Sequence, residues 1–236
     1  MGLDQKIFIG LNVLDVIAMA WFTLCWVGYT FYSEKKASNT NCLSNSLNQH
    51  RILWMQNMLG RENRVADASL LANLERNVAF FASSTLLILA GIITLLGSLD
   101  KLVDVAELLP FSTATARHAW EVKLLLLAGI FIYAFFKFTW SLRQYGFACV
   151  VVGSAPLKAS AADANALSEH AAKIISRAAH AFNLGLRAYY FSLAYLVWFV
   201  HPWMFMLTTT WVVGVLYRRE FKSKVLRALV RASKAS

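Results

Sequence analysis

The chain has 236 residues, 58% of them hydrophobic and only 15% charged, with a formal net charge of +10, and its mean hydropathy is +0.51. Soluble globular chains carry roughly 25% charged residues, and here the apolar residues collect in long blocks instead of recurring periodically. These figures exclude a soluble enzyme, a disordered tail protein and a small disulfide scaffold. They predict an all-α fold: a polytopic membrane helical bundle.

Three apolar blocks match the length of about 20 residues that crosses a bilayer. They run over 7–32, 79–98 and 122–142. Met1–Lys6 is too weakly basic for a signal-peptide n-region, so the first block is read as an uncleaved span. A fourth apolar stretch, 189–217, is interrupted at His201-Pro202. As one straight helix it is about 43 Å long, too long to cross a core of about 30 Å untilted. Two readings remain open: a Pro-kinked crossing, or a re-entrant stretch that turns back at Pro202.

Charge counting bears on that choice. Lys and Arg number one before the first span, six in 33–78, two in 99–121 with Lys123 just inside the third span, five in 143–188 and seven in 218–236. Four crossings put eleven on each side, whereas an odd number, or a stretch that turns back, gives eighteen against four. The positive-inside rule prefers the second arrangement. The N-terminus is then outside, and the long loops and C-terminus are on the cytoplasmic side.

The two long loops carry helical patterns of their own. Leu53, Trp54, Met58, Leu59, Val65, Leu70, Leu71 and Leu74 recur at roughly helical spacing, as do Leu167, Ala171, Ile174, Ala178, Phe182 and Leu186. Glu169 and Lys173 form an i,i+4 pair. Residues 33–49, rich in Ser and Asn, read as a disordered linker. The organisation is one membrane-embedded helical domain over 1–217, including cytoplasmic helical loops 33–78 and 143–188, followed by a basic amphipathic tail over 218–236. Phe221, Val225 and Leu229 share one face of that tail, which is expected to lie on anionic lipid. The basic residues sit in loops beside apolar spans without any nucleic-acid motif, so no nucleic-acid partner is expected. Cys25, Cys42 and Cys149 show no paired spacing and read as reduced and structural.

Several constellations are candidates for function. In the second span Ala79, Ser83, Leu86, Ala90, Thr94 and Gly97 fall on one narrow face, a seam of small residues suited to close helix packing. The same span offers hydroxyls at Ser83, Ser84 and Thr85 for the lining of a pore. Asp15 and Lys137 are charges inside apolar blocks, which makes each a site candidate. Lys137 lies near the depth of Ser83–Thr85, defining a possible cationic, hydroxyl-lined vestibule. The structural alternative is that Lys137 snorkels inward and Asp15 bonds to Asn12 or a neighbouring helix. Arg61, Glu62, Asn63, Arg64 and Asp67 form the densest polar cluster, a salt-bridged helix face or a source of acid–base groups. Asp100, Asp104 and Glu107 make an acidic row. The five histidines show no metal spacing, His201 marks the break before Pro202, and neither a metal nor a cofactor is implied.

The strings Trp54-Met55, Arg61-Glu62-Asn63, Asp67, Leu70-Leu71-Ala72-Asn73-Leu74 and Ala79-Phe80-Phe81-Ala82-Ser83-Ser84-Thr85 carry a resemblance. So do Tyr133-Ala134-Phe135-Phe136-Lys137-Phe138-Thr139-Trp140-Ser141-Leu142-Arg143-Gln144-Tyr145 and Gly185-Leu186-Arg187-Ala188-Tyr189-Tyr190-Phe191. The chain resembles the membrane family catalogued as domain of unknown function 599. The resemblance spans most of the chain and implies a bacterial inner-membrane protein without an assigned activity. The leading expectation is a homo-oligomeric assembly that encloses a pore for ions or small solutes. The alternatives are an accessory or scaffold subunit docking a protein partner through its cytoplasmic helices, and a membrane-embedded enzyme using Glu62 and Asp67.

Overall fold

The computed structural model describes residues 11–40, 42–100, 117–156 and 161–232, and every regular element among them is helical. In chain order these are α1 (Val13–Asn39), α2 (Leu43–Leu59), α3 (Val65–Gly97), α4 (Arg117–Gly153), α5 (Ala161–Leu196), α6 (Pro202–Phe221) and α7 (Lys224–Ala232), with a 3-10 turn at Val197–Phe199 before α6. Among the described residues three helices are long and apolar enough to cross a membrane, at Val13–Ala37, Val65–Gly97 and Arg117–Gly153. Residues 7–10 of the first expected span, and Asp104 and Glu107 of the acidic row, lie outside the described residues.

The helices outrun the blocks read from hydropathy. α3, α4 and α5 have 33, 37 and 36 residues, about 50–55 Å each at 1.5 Å per residue. Hydropathy marks only their apolar segments, while their polar halves continue the same hydrogen-bonded ladder. The breaks have local causes. Gly60 closes α2 with its N–H on the Met58 carbonyl, and Asn63 Oδ1 accepts the Val65 N–H to open α3. Pro156 follows the end of α4, and Pro202 takes the first position of α6, where its missing N–H costs nothing.

The expectation of a disordered linker over 33–49 is wrong. α1 runs through Ser33 to Asn39, and α2 takes up the chain again at Leu43. Cys42 is the N-cap of α2, fully buried, with Sγ accepting the Asn45 N–H at 3.4 Å. Ser33 Oγ donates to the Thr30 carbonyl within α1, Asn45 donates from Nδ2 to the Ala37 and Thr40 carbonyls, and Asn48 Oδ1 accepts from Ser176 Oγ. Burial pushes the Cys42 thiol above its ordinary range, which favours the protonated, unreactive form.

The chain divides into two compact units. The first holds α1 as far as Lys36, α3 from Thr85, α4 as far as Ala134, α5 from Arg187 and α6 as far as Tyr217. Its interior is aromatic. Phe22 of α1 meets Phe191, Tyr195 and Phe205 at ring-centroid distances of 5.7, 5.6 and 5.2 Å, and Trp26 stacks on Phe191 at 5.7 Å. Contacts along α1 fix direction. α5 descends past it, with Trp198 at Asp15, Phe191 at Phe22 and Arg187 at Tyr29. α6 then runs the other way, with Thr210 at Trp21 and Tyr217 at Lys36. The chain therefore reverses between Leu196 and Pro202, and Trp198 stacks on Phe205 across the turn at 5.3 Å.

The second unit holds α2, α7 and the remaining parts of α1, α3, α4, α5 and α6. Here α4 and α5 approach closely: Ser141 Oγ donates to the Ala178 carbonyl at 2.7 Å, and Gly185 faces the ring of the fully buried Phe138. Phe81 of α3 and Phe182 of α5 enclose that ring, with centroids at 5.5 and 5.6 Å. The tail helix α7 rests against α2, where the His50 ring meets the Leu229 carbonyl at 3.3 Å. Leu226 is its buried residue, and Val225 points outward.

Candidate functional site

Two opposite charges are buried together in the first unit. Asp15 lies in the first turn of α1 and Lys123 in the second turn of α4, and they are 4% and 3% exposed. Lys123 Nζ stands 3.3 Å from Asp15 Oδ1. The indole N–H of Trp198 donates to the same oxygen at 2.7 Å, and the Asn12 N–H donates to Oδ2 at 3.2 Å. Lys123 Nζ also donates to the Trp198 carbonyl at 3.3 Å and lies 4.8 Å from the centre of the Trp198 ring. The Tyr195 hydroxyl donates to the Lys123 carbonyl at 3.0 Å.

Helix ends explain why this pair is tolerable. The carboxylate sits at the N-terminus of α1, where orphan N–H groups favour negative charge, and it reaches back to the residue before the helix like the acidic member of a capping box. The ammonium sits at the C-terminal end of α5, where carbonyls lack helical partners and favour positive charge. Each charge is thus compensated by a helix terminus as well as by the other. Sequence reading set Asp15 inside its span and named Asn12 or a neighbouring helix, without naming Lys123, as its partner. With α1 beginning at Val13, Asp15 belongs to the helix start and Lys123 is its counterion. The Asn12 contact was expected.

The other candidates go elsewhere. Thr85 is fully buried in the first unit, its hydroxyl 2.7 Å from the Tyr189 hydroxyl. Ser83, Ser84 and Lys137 belong to the second unit. Ser84 Oγ donates to the Phe80 carbonyl within its own helix, Ser83 is exposed, and Lys137 is half-buried. Asp15 and Thr85 are both engaged inside the first unit. On the seam, Ala79 is half-buried, while Ser83, Leu86, Ala90, Thr94 and Gly97 are exposed. The buried stripe of α3 is Leu71, Val78, Ala82, Thr85 and Ile92 instead. The Thr94 hydroxyl donates to the Ala90 carbonyl, so this face carries its own hydrogen bonds.

The polar cluster before the second span forms a corner of the second unit. Asp67 is fully buried, its Oδ1 accepting from Trp54 Nε1 and Arg61 Nη1, both at 2.7 Å. Arg64 donates to the carbonyls of Ala155 and Pro156 at 2.7 and 2.8 Å, holding the end of α4. Glu62 is exposed. The arrangement fixes the α2–α3 turn; both donors fall on Asp67 Oδ1, and Oδ2 is buried without a hydrogen-bond partner among the described residues. His201 accepts the Trp203 N–H at Nδ1 and so caps α6 after the reversal. Among the described residues no three His, Cys, Asp or Glu side chains gather as a metal site.

Sequence reading also passed over Arg187. It lies over the Tyr29 ring at 5.3 Å, with Nη1 buried and without a hydrogen-bond partner among the described residues. Its place on an amphipathic, alanine-rich helix hid it, because the apolar block was taken to begin two residues later. No curated protein and no solved structure matches the chain. The model of one protein family does, over residues 17–225, and the chain belongs to that family, described as protein of unknown function DUF599.

Proposed function

We propose that the chain is a five-crossing inner-membrane protein that serves as a docking subunit, with its second unit presented to a partner in the cytoplasm. The observation that carries this is the continuation of α3, α4 and α5 far past the ~20 residues a bilayer needs, into a unit with its own buried core. A chain whose only task is to line a path through the membrane has no use for such extensions. The internal engagement of Asp15 and Thr85 supports the same reading, since both are hydrogen-bonded within the chain. The reversal at Pro202 supports an odd number of crossings. α6 has 20 residues, about 30 Å, enough for a complete passage beside α1. This topology places the N-terminus in the periplasm and the basic α7 in the cytoplasm, next to anionic lipid, with eighteen Lys and Arg on one side against four on the other.

Topology is checked by thiol labelling. Arg227→Cys, in a background with Cys25, Cys42 and Cys149 replaced by Ser, is expected to resist an impermeant reagent in intact cells and to label after permeabilisation. Labelling from the periplasm excludes the five-crossing arrangement. Docking is checked by native mass measurement of the protein extracted from its own membranes in mild detergent. A stable heteromer is expected, and a closed ring of identical copies overturns the docking reading.

That ring is the second reading, favoured by the exposed face of α3. Small residues at Ser83, Ala90, Thr94 and Gly97 permit close approach of another copy. Ala90→Leu adds bulk to an exposed position, so each chain is expected to keep its fold while the homo-oligomer, if α3 builds it, dissociates. An unchanged oligomer mass puts that face against lipid. If the ring encloses a pore, reconstituted protein conducts, and Lys137→Gln shifts its ion selectivity.

A further inference from the structure

A polar groove opens in the second unit between α2 and α5, with a volume of about 510 Å³, within the range of roughly 300–1,000 Å³ that holds small molecules. One wall carries Ser44, Asn45 and Asn48, and the other Lys173, Ser176 and Arg177. Spacing predicted that Glu169 would neutralise Lys173, but the pair does not form. Among the described residues neither Lys173 nor Arg177 has a carboxylate partner. Two cations one helical turn apart thus face a wall of amides and hydroxyls.

The wall is held in one orientation from behind. Arg51 donates from Nη1 to Ser176 Oγ at 3.3 Å, and Ser176 Oγ donates to Asn48 Oδ1 at 2.5 Å. That relay occupies the acceptor end of Asn48 and leaves its amide N–H groups to serve as donors. The groove therefore offers donors and positive charge from Asn48, Lys173 and Arg177. The α2 N-terminus adds nothing to this, because Glu220 already accepts the Ser44 N–H at 3.3 Å. Glu169 also lines the groove, one turn before Lys173, and repels negative charge at that end, which steers an anion towards Arg177.

We propose that this groove binds a phosphate-bearing anion, clasped by Lys173 and Arg177 and oriented by Asn48. A guanidinium matches the paired oxygens of a phosphate, an ammonium adds a point charge, and the volume exceeds that of a lone phosphate, so an ester or a diphosphate fits. The phosphate belongs either to a soluble metabolite or to a lipid headgroup. The proposal goes beyond the docking reading, since the groove can fill whether or not a protein partner docks.

Pyrophosphate is the probe. The full-length protein, in neutral detergent and phosphate-free buffer, is titrated by calorimetry and by thermal unfolding. Wild type is expected to bind and to gain stability. Lys173→Gln/Arg177→Gln is expected to bind at least about tenfold more weakly, since charge-assisted hydrogen bonds are lost. Both side chains are exposed, so the variant's ligand-free unfolding temperature should match wild type. Asn48→Ala should weaken binding without removing it. A second arm compares nanodiscs of phosphatidylcholine with nanodiscs containing phosphatidylglycerol. Stabilisation of wild type over the double variant by the anionic lipid, with no pyrophosphate binding, identifies the headgroup as the source of the phosphate. The absence of both effects, or equal effects in the double variant, overturns the site. A failed search for a heteromer leaves this result untouched, and a failed titration leaves the docking reading untouched.

Discussion

Lys123→Met is expected to destabilise the protein by about 3–5 kcal/mol, the range found when one member of a buried ion pair is removed. The size follows from what is left behind. Asp15 would keep its bonds from Trp198 and Asn12 but lose its ion pair with Lys123, and at 4% exposure it has little access to water that could replace it. Asp15→Leu should cost a similar amount, because Lys123 then keeps the Trp198 carbonyl and ring but loses its carboxylate. The informative variant is the double one. Two apolar side chains of similar size remove both desolvation penalties, so Asp15→Leu/Lys123→Met should recover at least half of either single loss. Unfolding titrations in mixed micelles, followed by tryptophan fluorescence, give the four free energies. Single variants as stable as wild type would show that the pair is hydrated and contributes little, and additive losses would show that the two charges are not coupled.

Gly185→Ala is expected to cost about 3 kcal/mol, the upper part of the usual range for overpacking. A Cβ at that position would stand 2.5 Å from Phe138 Cε1 and 2.8 Å from Cδ1 and Cζ. Such distances require movement, and the Phe138 ring is fully buried between Phe81 and Phe182. The strain therefore passes to the contact of α4 with α5, where Ser141 holds the Ala178 carbonyl. Phe138→Leu in the same chain should restore part of the loss by vacating the space. Thermal unfolding of the two single variants and the double variant in one detergent decides it. Gly185→Ala with an unchanged unfolding temperature would mean that α5 shifts freely there.

Apolar blocks in the sequence located three membrane-competent helices because hydropathy over about 20 residues is a strong signal. Their ends were not legible, since a helix that leaves the bilayer keeps its backbone ladder while its side chains turn polar. That is why α5 looked like two elements, a polar loop helix up to Ala188 and an apolar block after it. The Ser- and Asn-rich stretch near Cys42 misled for a related reason. These residues break helices only when their side chains compete for the backbone, and here Ser33 back-bonds to the Thr30 carbonyl within α1. The charged site was half visible. Asp15 stood out as a charge in an apolar block read from residue 7, whereas Lys123, just inside the third span, entered only the charge count. Arg187 could have been found by asking which charges fall within one bilayer thickness of the reversal at Pro202.

The contacts that complete the first unit join residues far apart in the chain. Trp198 meets Asp15 across 183 residues, Thr210 meets Trp21 across 189, and Tyr217 meets Lys36 across 181. At a synthesis rate of about 5–20 residues per second, α1 waits roughly 10–40 s after leaving the ribosome before α5 and α6 exist to cover it. Through that interval the Asp15 carboxylate lacks its indole donor and Phe22 lacks most of its ring contacts. α1 is thus exposed for longest to wrong helix partners, to quality-control proteases and to any factor that shields unfinished membrane helices. Ribosomes stalled before Pro202 should leave chains in which α1 is still accessible to such factors, however well the intervening helices have formed.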